Sequence, residues 1–132
     1  MDVIGHGLDI VEVEHFRQLC ENPGDGTLLA SYFTPSELAL VGSGPARAQR
    51  LAGRFAAKEA VLKALGVGWT QSIAWTDIEI NALPSGAPVV VLHFRGAELA
   101  TERNITSWLV SISHTATFAA ATAIALSGAD ES

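Results

Sequence analysis

At 132 residues, 48% apolar and 17% charged, the chain has the size and composition of one globular domain and is too apolar for intrinsic disorder. A formal net charge of −6, from 14 acids against 8 bases, argues against general nucleic-acid or anionic-membrane binding, where a basic surface supplies most of the affinity. No apolar run is long enough to span a bilayer, no basic segment precedes an apolar stretch at Met1-Asp2, and Cys20 has no second cysteine to pair with, which predicts a cytoplasmic, reducing setting.

In chain order, Val3 to Val11 alternates as a strand, with Ile4, His6, Leu8 and Ile10 on one face and Gly5, Gly7 and Asp9 on the other. The glycines clear room on the Asp9 side for a ligand or another backbone. His6, on the apolar face, reads as a core or interface group. A helix follows over Glu12 to Cys20, and "NPGDG" at Asn22 to Gly26 ends it. "FTPSELALV" offers Thr34 as N-cap, Pro35 at the first helical position and Glu37 three residues after the cap. A long helix starts after Pro45 and runs to Leu65 with a stripe of Leu51, Phe55, Leu62 and Leu65, stopped by Gly66 and Gly68. Asp77 to Ala82 and Pro88 to Phe94 form a hairpin about Pro84 to Gly86, a short helix covers Arg95 to Arg103, and two apolar strands, "SWLVSISHT" and "FAAATAIAL", close the chain. The pattern predicts an α+β fold with a largely antiparallel sheet, one long helix and several short ones. Residues 1–126 form the single domain, and 127–132, "SGADES", a frayed tail.

Several side chains are candidates for chemistry. Asp9 is a carboxylate inside an apolar strand, where an unpaired charge is costly; it either works at a site or caps the next helix. Glu59 and Lys63 stand at i, i+4, a spacing that also serves plain surface helices for about 0.3–0.5 kcal/mol. With Arg54 and Lys58 they give the long helix three cations in ten residues, behind Arg47 and Arg50, a density suited to a phosphate-rich ligand. His114 ends a strand of small hydroxyl residues. The chain has no Cys/His metal spacing, phosphate loop, nucleophile elbow or dinucleotide fingerprint.

Three stretches together resemble one family. "GHGLDIVEV" (Gly5 to Val13), "GRFAAKEAVLKALG" (Gly53 to Gly66) and "SISHTATFAAATA" (Ser111 to Ala123) are similar to the motifs of the holo-acyl-carrier-protein synthases, the short single-module 4′-phosphopantetheinyl transferases. The resemblance implies that family's fold and its activity. That activity moves the phosphopantetheine arm of coenzyme A to a serine of an apo acyl carrier protein or carrier domain and releases adenosine 3′,5′-bisphosphate, in support of fatty-acid or polyketide synthesis. It further implies Mg²⁺ on Asp9 and Glu59, Lys63 at the diphosphate, Arg54 assisting the coenzyme, His114 and Thr115 at its 3′-phosphate or adenylate part, and Gly66 and Pro88 close to the ligand. Catalysis would then fall to Glu59, Lys63 and Asp9, with Glu59 or a metal-bound water taking the serine proton. A homotrimer with sites between subunits is implied as well.

The residues suit that chemistry in their own right. Mg²⁺ takes one or two protein carboxylates plus phosphate oxygens, and cleaving a phosphoanhydride needs its charge neutralised. Two departures stand out. His6 occupies a position usually aliphatic in the family, and the first helix carries Glu12, Glu14 and Glu21 against Arg17 where the family is usually basic. Carrier docking is therefore expected to rest on apolar contacts around Phe16 and Leu19, or on Arg17, Arg47 and Arg50. The rivals are a Mg²⁺-dependent phosphohydrolase using the same carboxylates, and a non-catalytic binding module.

Overall fold

A computed structural model describes residues 1–22, 24, 26–66 and 73–128. The expected stop at Gly68, Trp69, the turn residues Pro23 and Asp25, and tail residues 129–132 lie outside them. The alternating first segment is β1 (Val3–Glu12), and α1 (Val13–Glu21) follows without a break. A helix that the periodicity does not announce, α2 (Gly26–Tyr32), fills the stretch before the Thr34 cap. It has a single buried residue, Leu29, too few to make a legible stripe.

The next helix, α3 (Pro35–Val41), starts as its residues dictate. The Thr34 hydroxyl accepts from the Glu37 N–H, and the Glu37 carboxylate accepts from the Thr34 N–H, a reciprocal capping box. The long helix α4 (Arg47–Leu65) ends at Gly66, whose φ of +74° gives the left-handed cap that glycine adopts without strain. A 3₁₀ turn (Trp75–Asp77) leads to β2 (Ile78–Ala82) and β3 (Pro88–Leu92), paired as the expected hairpin. The second strand stops at Leu92 rather than Phe94, because α5 (Phe94–Glu102) begins there. Then come β4 (Ile105–His114) and β5 (Phe118–Ser127). Ser127 belongs to β5, its N–H donating to the Asp2 carbonyl at 2.8 Å.

All strand pairs are antiparallel, in a three-stranded sheet ordered β1-β5-β4 and the separate β2-β3 ribbon. The inner face of the larger sheet is built from small residues. Ala121, Ala123 and Ala125 of β5 cluster with Ala56, Ala57, Ala60 and Ala64 of α4, and Ala119 clusters with Ala48, Leu51 and Ala52, all buried. Gly5 and Gly7 complete this approach, since a Cβ on either would lie 2.2 Å from the Ala64 carbonyl oxygen or 2.0 Å from that of Ala60. The space the glycines clear is therefore filled by helix backbone, not by ligand. On its other side α4 packs with α1, α2 and α3 around Phe16, Phe33 and Leu51. Sandwiched in this way, α4 is buried around most of its circumference rather than along one stripe.

Candidate active site

Asp9 shares the inner face of β1 with the two glycines, so the same close packing that demands glycine brings it against α4. Lys63 reaches across to it: Nζ lies 3.0 Å from Asp9 Oδ1 and donates to the Leu8 carbonyl at 2.8 Å. The Lys63 side chain is 53% exposed and that of Asp9 14%, so the ammonium covers an otherwise sheltered carboxylate from the solvent side. Glu59, one turn before Lys63 and half-buried, belongs to the same cluster. Burial, and then the negative charge of Asp9, hold its carboxyl above the usual range, and Lys63 partly opposes them. Lys63 thus pairs with Asp9 across the strand–helix contact, not with Glu59 along the helix as their spacing suggests. Gly66, with its N–H on the Lys63 carbonyl, closes the helix just beyond.

Arg54, Pro88 and His114 meet elsewhere. With Arg50, Gly86 and Ile112 they line a cleft of about 220 Å³ between α4, the β2–β3 turn and the end of β4. Arg54 Nε is buried there without a hydrogen-bond partner among the described residues. Burial holds its guanidinium below the ordinary value, Glu37 partly restores it, and neighbouring Arg50 lowers it further. Thr115 follows in the β4–β5 turn, where its hydroxyl accepts from the N–H groups of Thr117 and Phe118 at 3.2 and 3.0 Å and its own N–H donates to the Phe118 carbonyl. It is thereby fixed beside His114.

The eight expected site residues therefore form two groups. Asp9 of β1 lies opposite Ala121 of β5, which lies opposite Ile112 of β4 in the cleft. The carboxylate group and the arginine–histidine group stand at opposite edges of one sheet, two strand spacings or about 10 Å apart. On the outer face of that sheet the paired rows run His6–Ile124–Leu109, Leu8–Thr122–Ser111 and Ile10–Ala120–Ser113. Ile4, Leu8, Ile10, Leu109 and Phe118 are all exposed on it, an apolar face of the kind that marks an interaction surface.

Two expectations need correcting. Lys58 is not available to a ligand. Its ammonium is fully buried, 2.7 Å from Glu37 Oε1, donating to the Trp75 carbonyl at 3.0 Å and to the Ile78 carbonyl, and 5.5 Å from the Phe33 ring centre. Burial lowers its pKa and Glu37 opposes that. Glu37 Oε2 also accepts from the Ile80 N–H at 2.7 Å, so the pair ties α4 to α3 and β2. Nor can docking rest on Phe16 and Leu19, which are 1% and 6% exposed in the α1–α4 core.

A larger hollow of about 330 Å³ between α1 and the start of α4 contains none of the expected site residues. Its Arg17 is paired with Glu14 at 2.5 Å, and Arg47 donates to the Gly42 carbonyl and to Cys20 Sγ. Arg50, expected with Arg17 and Arg47 as a carrier-docking alternative, lines the smaller cleft instead; its i, i+4 relation to Arg54 puts both on one helix face.

No helix among the described residues is long and apolar enough to cross a membrane. Residues 5–123 match the family model described as the 4′-phosphopantetheinyl transferase superfamily. The chain is 44% identical over 124 residues to the holo-acyl-carrier-protein synthase of Desulforudis audaxviator, covering 94% of this chain and 93% of that protein. Among solved structures, it is similar to Helicobacter pylori holo-acyl-carrier-protein synthase in complex with coenzyme A, with a TM-score of 0.78, 34% identity and coverage of 92% and 99% of the two chains. The Neisseria meningitidis enzyme superposes with a TM-score of 0.82 at 27% identity, covering 95% and 99%.

Proposed function

The chain belongs to the holo-acyl-carrier-protein synthases of the 4′-phosphopantetheinyl transferase superfamily, and from that premise and the site geometry we propose the reaction it performs. It transfers the phosphopantetheine arm of coenzyme A to a serine of an apo acyl carrier protein or carrier domain, with Mg²⁺, in the cytoplasm, in support of fatty-acid or polyketide synthesis. The serine oxygen forms a bond to the phosphorus that bears pantetheine, the phosphoanhydride bond breaks, and adenosine 3′,5′-bisphosphate leaves with the electron pair.

The observation that carries this reading is the division of labour between the two groups. Asp9 and Glu59 are hard oxygen donors close enough that the charge of one raises the pKa of the other, and Asp9 already holds a cation, the Lys63 ammonium. That donor set fits Mg²⁺, which needs few protein ligands when substrate phosphates and water supply the rest. When bound, the ion would neutralise charge on the phosphate oxygens. Glu59, at the junction of β1 and α4 beside Asp9, is the carboxylate placed to accept the serine proton. Lys63 is exposed enough to leave Asp9 for the diphosphate. Arg54, Pro88, His114 and Thr115 hold the adenylate end.

The two groups face opposite ways in one chain, so the site is incomplete in it. We infer a homotrimer assembled through the apolar outer face, in which the Arg54–His114 edge of one copy meets the Asp9–Glu59–Lys63 edge of the next. The deciding experiment incubates the protein with coenzyme A, Mg²⁺ and an apo carrier and weighs the carrier by mass spectrometry. A gain of one phosphopantetheine arm is expected. An unchanged carrier beside consumed coenzyme A would mean hydrolysis, and unchanged carrier and coenzyme would mean a binding module.

A further inference from the structure

The assembly inferred above covers the outer face of the β1-β5-β4 sheet with another copy of the chain. That face is apolar or hydroxylic through its middle, with Leu8, Ile10 and Leu109 exposed beside Thr122 and Ser111. One side chain breaks the pattern. His6 stands in β1 in the row His6–Ile124–Leu109, exposed, and has no hydrogen bond or ion pair among the described residues. Helix α4 lies on the other side of the sheet, against Gly5 and Gly7, so no described element covers the ring.

The charges that could answer a protonated imidazole are distant. Among the described residues, β4 and β5 present none beside it on this face. Asp9, three residues along β1, projects from the opposite face toward α4 and is held by Lys63. Asp2 and Glu12 flank the strand four and six residues away, about 13 and 20 Å at the rise of a strand. A copy docking through the same face presents the same uncharged middle. Taking an imidazolium out of water into such a contact is costly, because the buried charge finds no partner. The neutral ring carries no such penalty.

We propose that the outer sheet face docks a second copy only while His6 is uncharged, so that mild acid separates the copies. Carrier transfer is lost with them, because the Asp9 group and the His114 group of one site come from different copies. This rests on the homotrimer reading above. Histidine ordinarily titrates near pH 6.5. Above that range association is at full strength; as pH falls, the separated chains take up protons that the assembly excludes, and association weakens. An interface that admits only the neutral ring loses about ten-fold per copy between pH 7.5 and 5.5, or about a thousand-fold for three copies.

The test is sedimentation of the full chain at pH 7.5 and 5.5 over a range of protein concentrations, with carrier transfer and thermal melts at the same points. The wild type is expected to assemble at pH 7.5 and to lose about a thousand-fold in its association constant at pH 5.5. Its transfer per chain at pH 5.5 should recover as the protein is concentrated. His6→Ile and His6→Gln, which cannot take the charge, are expected to assemble equally at both values. A wild type that stays assembled at pH 5.5, or variants that dissociate in step with it, overturns the proposal. A wild type that is monomeric at pH 7.5 while transferring to the carrier overturns the homotrimer reading itself, and the proposal with it.

Discussion

Gly7→Ala tests whether the spacing of β1 and α4 sets the catalytic geometry. A Cβ at Gly7 would lie 2.0 Å from the Ala60 carbonyl oxygen and 2.9 Å from Lys63 Cβ. Ordinary contact begins at 3.4 Å, so the helix must retreat by about 1.4 Å (3.4 − 2.0). Overpacking of this kind costs about 1–3 kcal/mol. The functional effect should be larger, because Glu59 and Lys63 ride on α4 and Asp9 on β1. A retreat of that size opens the 3.0 Å contact between Lys63 and Asp9 and separates the two carboxylates. Misplacing catalytic groups by about 1 Å costs on the order of 100-fold in rate. Gly7→Ala is therefore expected to lose about 100-fold in carrier transfer, measured by mass spectrometry, while still melting cooperatively. Gly5→Ala is the matched control. Its Cβ would meet the Ala64 carbonyl oxygen at 2.2 Å, a comparable clash placed farther from Asp9. It should cost similar stability and less activity. Gly7→Ala activity within three-fold of wild type, or equal activity losses in the two variants, would refute the reasoning.

Four further outcomes are expected. Glu59→Gln abolishes transfer without altering the melt or the oligomer, since it removes the charge and keeps the shape; activity within a few-fold of wild type would remove Glu59 from the mechanism. Lys58→Met strands the buried Glu37 carboxylate and costs about 3–5 kcal/mol in urea unfolding, whereas a loss under about 1 kcal/mol would show that water reaches the pair. Glu79 is pushed up by burial, but the His93 hydrogen bond and charge, with Thr34 and Asn81, outweigh that and hold it below the ordinary value. Its contribution is thus present above the unfolded carboxylate value near pH 4.3 and lost as pH falls through the folded value; Glu79→Gln should flatten that acid limb of stability, and an unchanged limb would refute the assignment. Leu8→Glu places a charge in the middle of the outer sheet face and should convert the assembly to monomers in sedimentation, with transfer lost; an intact oligomer would place the interface elsewhere.

Much of this was legible in the sequence because the signals were local. The Thr34–Glu37 box, the Gly66 stop and the alternation of β1 each lie within a few residues of what they determine, and all form as expected. Helix α2 was not legible, since seven residues with one buried side chain present no periodicity. The orientation of β1 was half legible. Its alternation separates an apolar face from a glycine–aspartate face, and ordinary reasoning would bury the apolar one. The helix packs on the glycine face instead, because only there can its backbone come within reach, and the apolar face is left for solvent or another copy.

The cations show most clearly why residue density is a weak guide and geometry a strong one. Arg54, Lys58 and Lys63 look in the sequence like one basic stripe on one helix. Steps of four and five residues at 3.6 per turn rotate them by about 40° and then 140°, and three different surroundings await them. Arg54 meets the cleft, Lys58 enters the core against Glu37, and Lys63 crosses to Asp9. Of the remaining bases, Arg17 and Arg95 are paired with acids on their own helices, and Arg47 and Arg50 hold carbonyls of the α3–α4 connection. An acidic protein can handle a polyanionic substrate in this way without offering a polyanion a general surface. Arg54 and Lys63, proposed to meet phosphate, stand in separate surroundings, while Arg17, Lys58 and Arg95 are already paired with carboxylates.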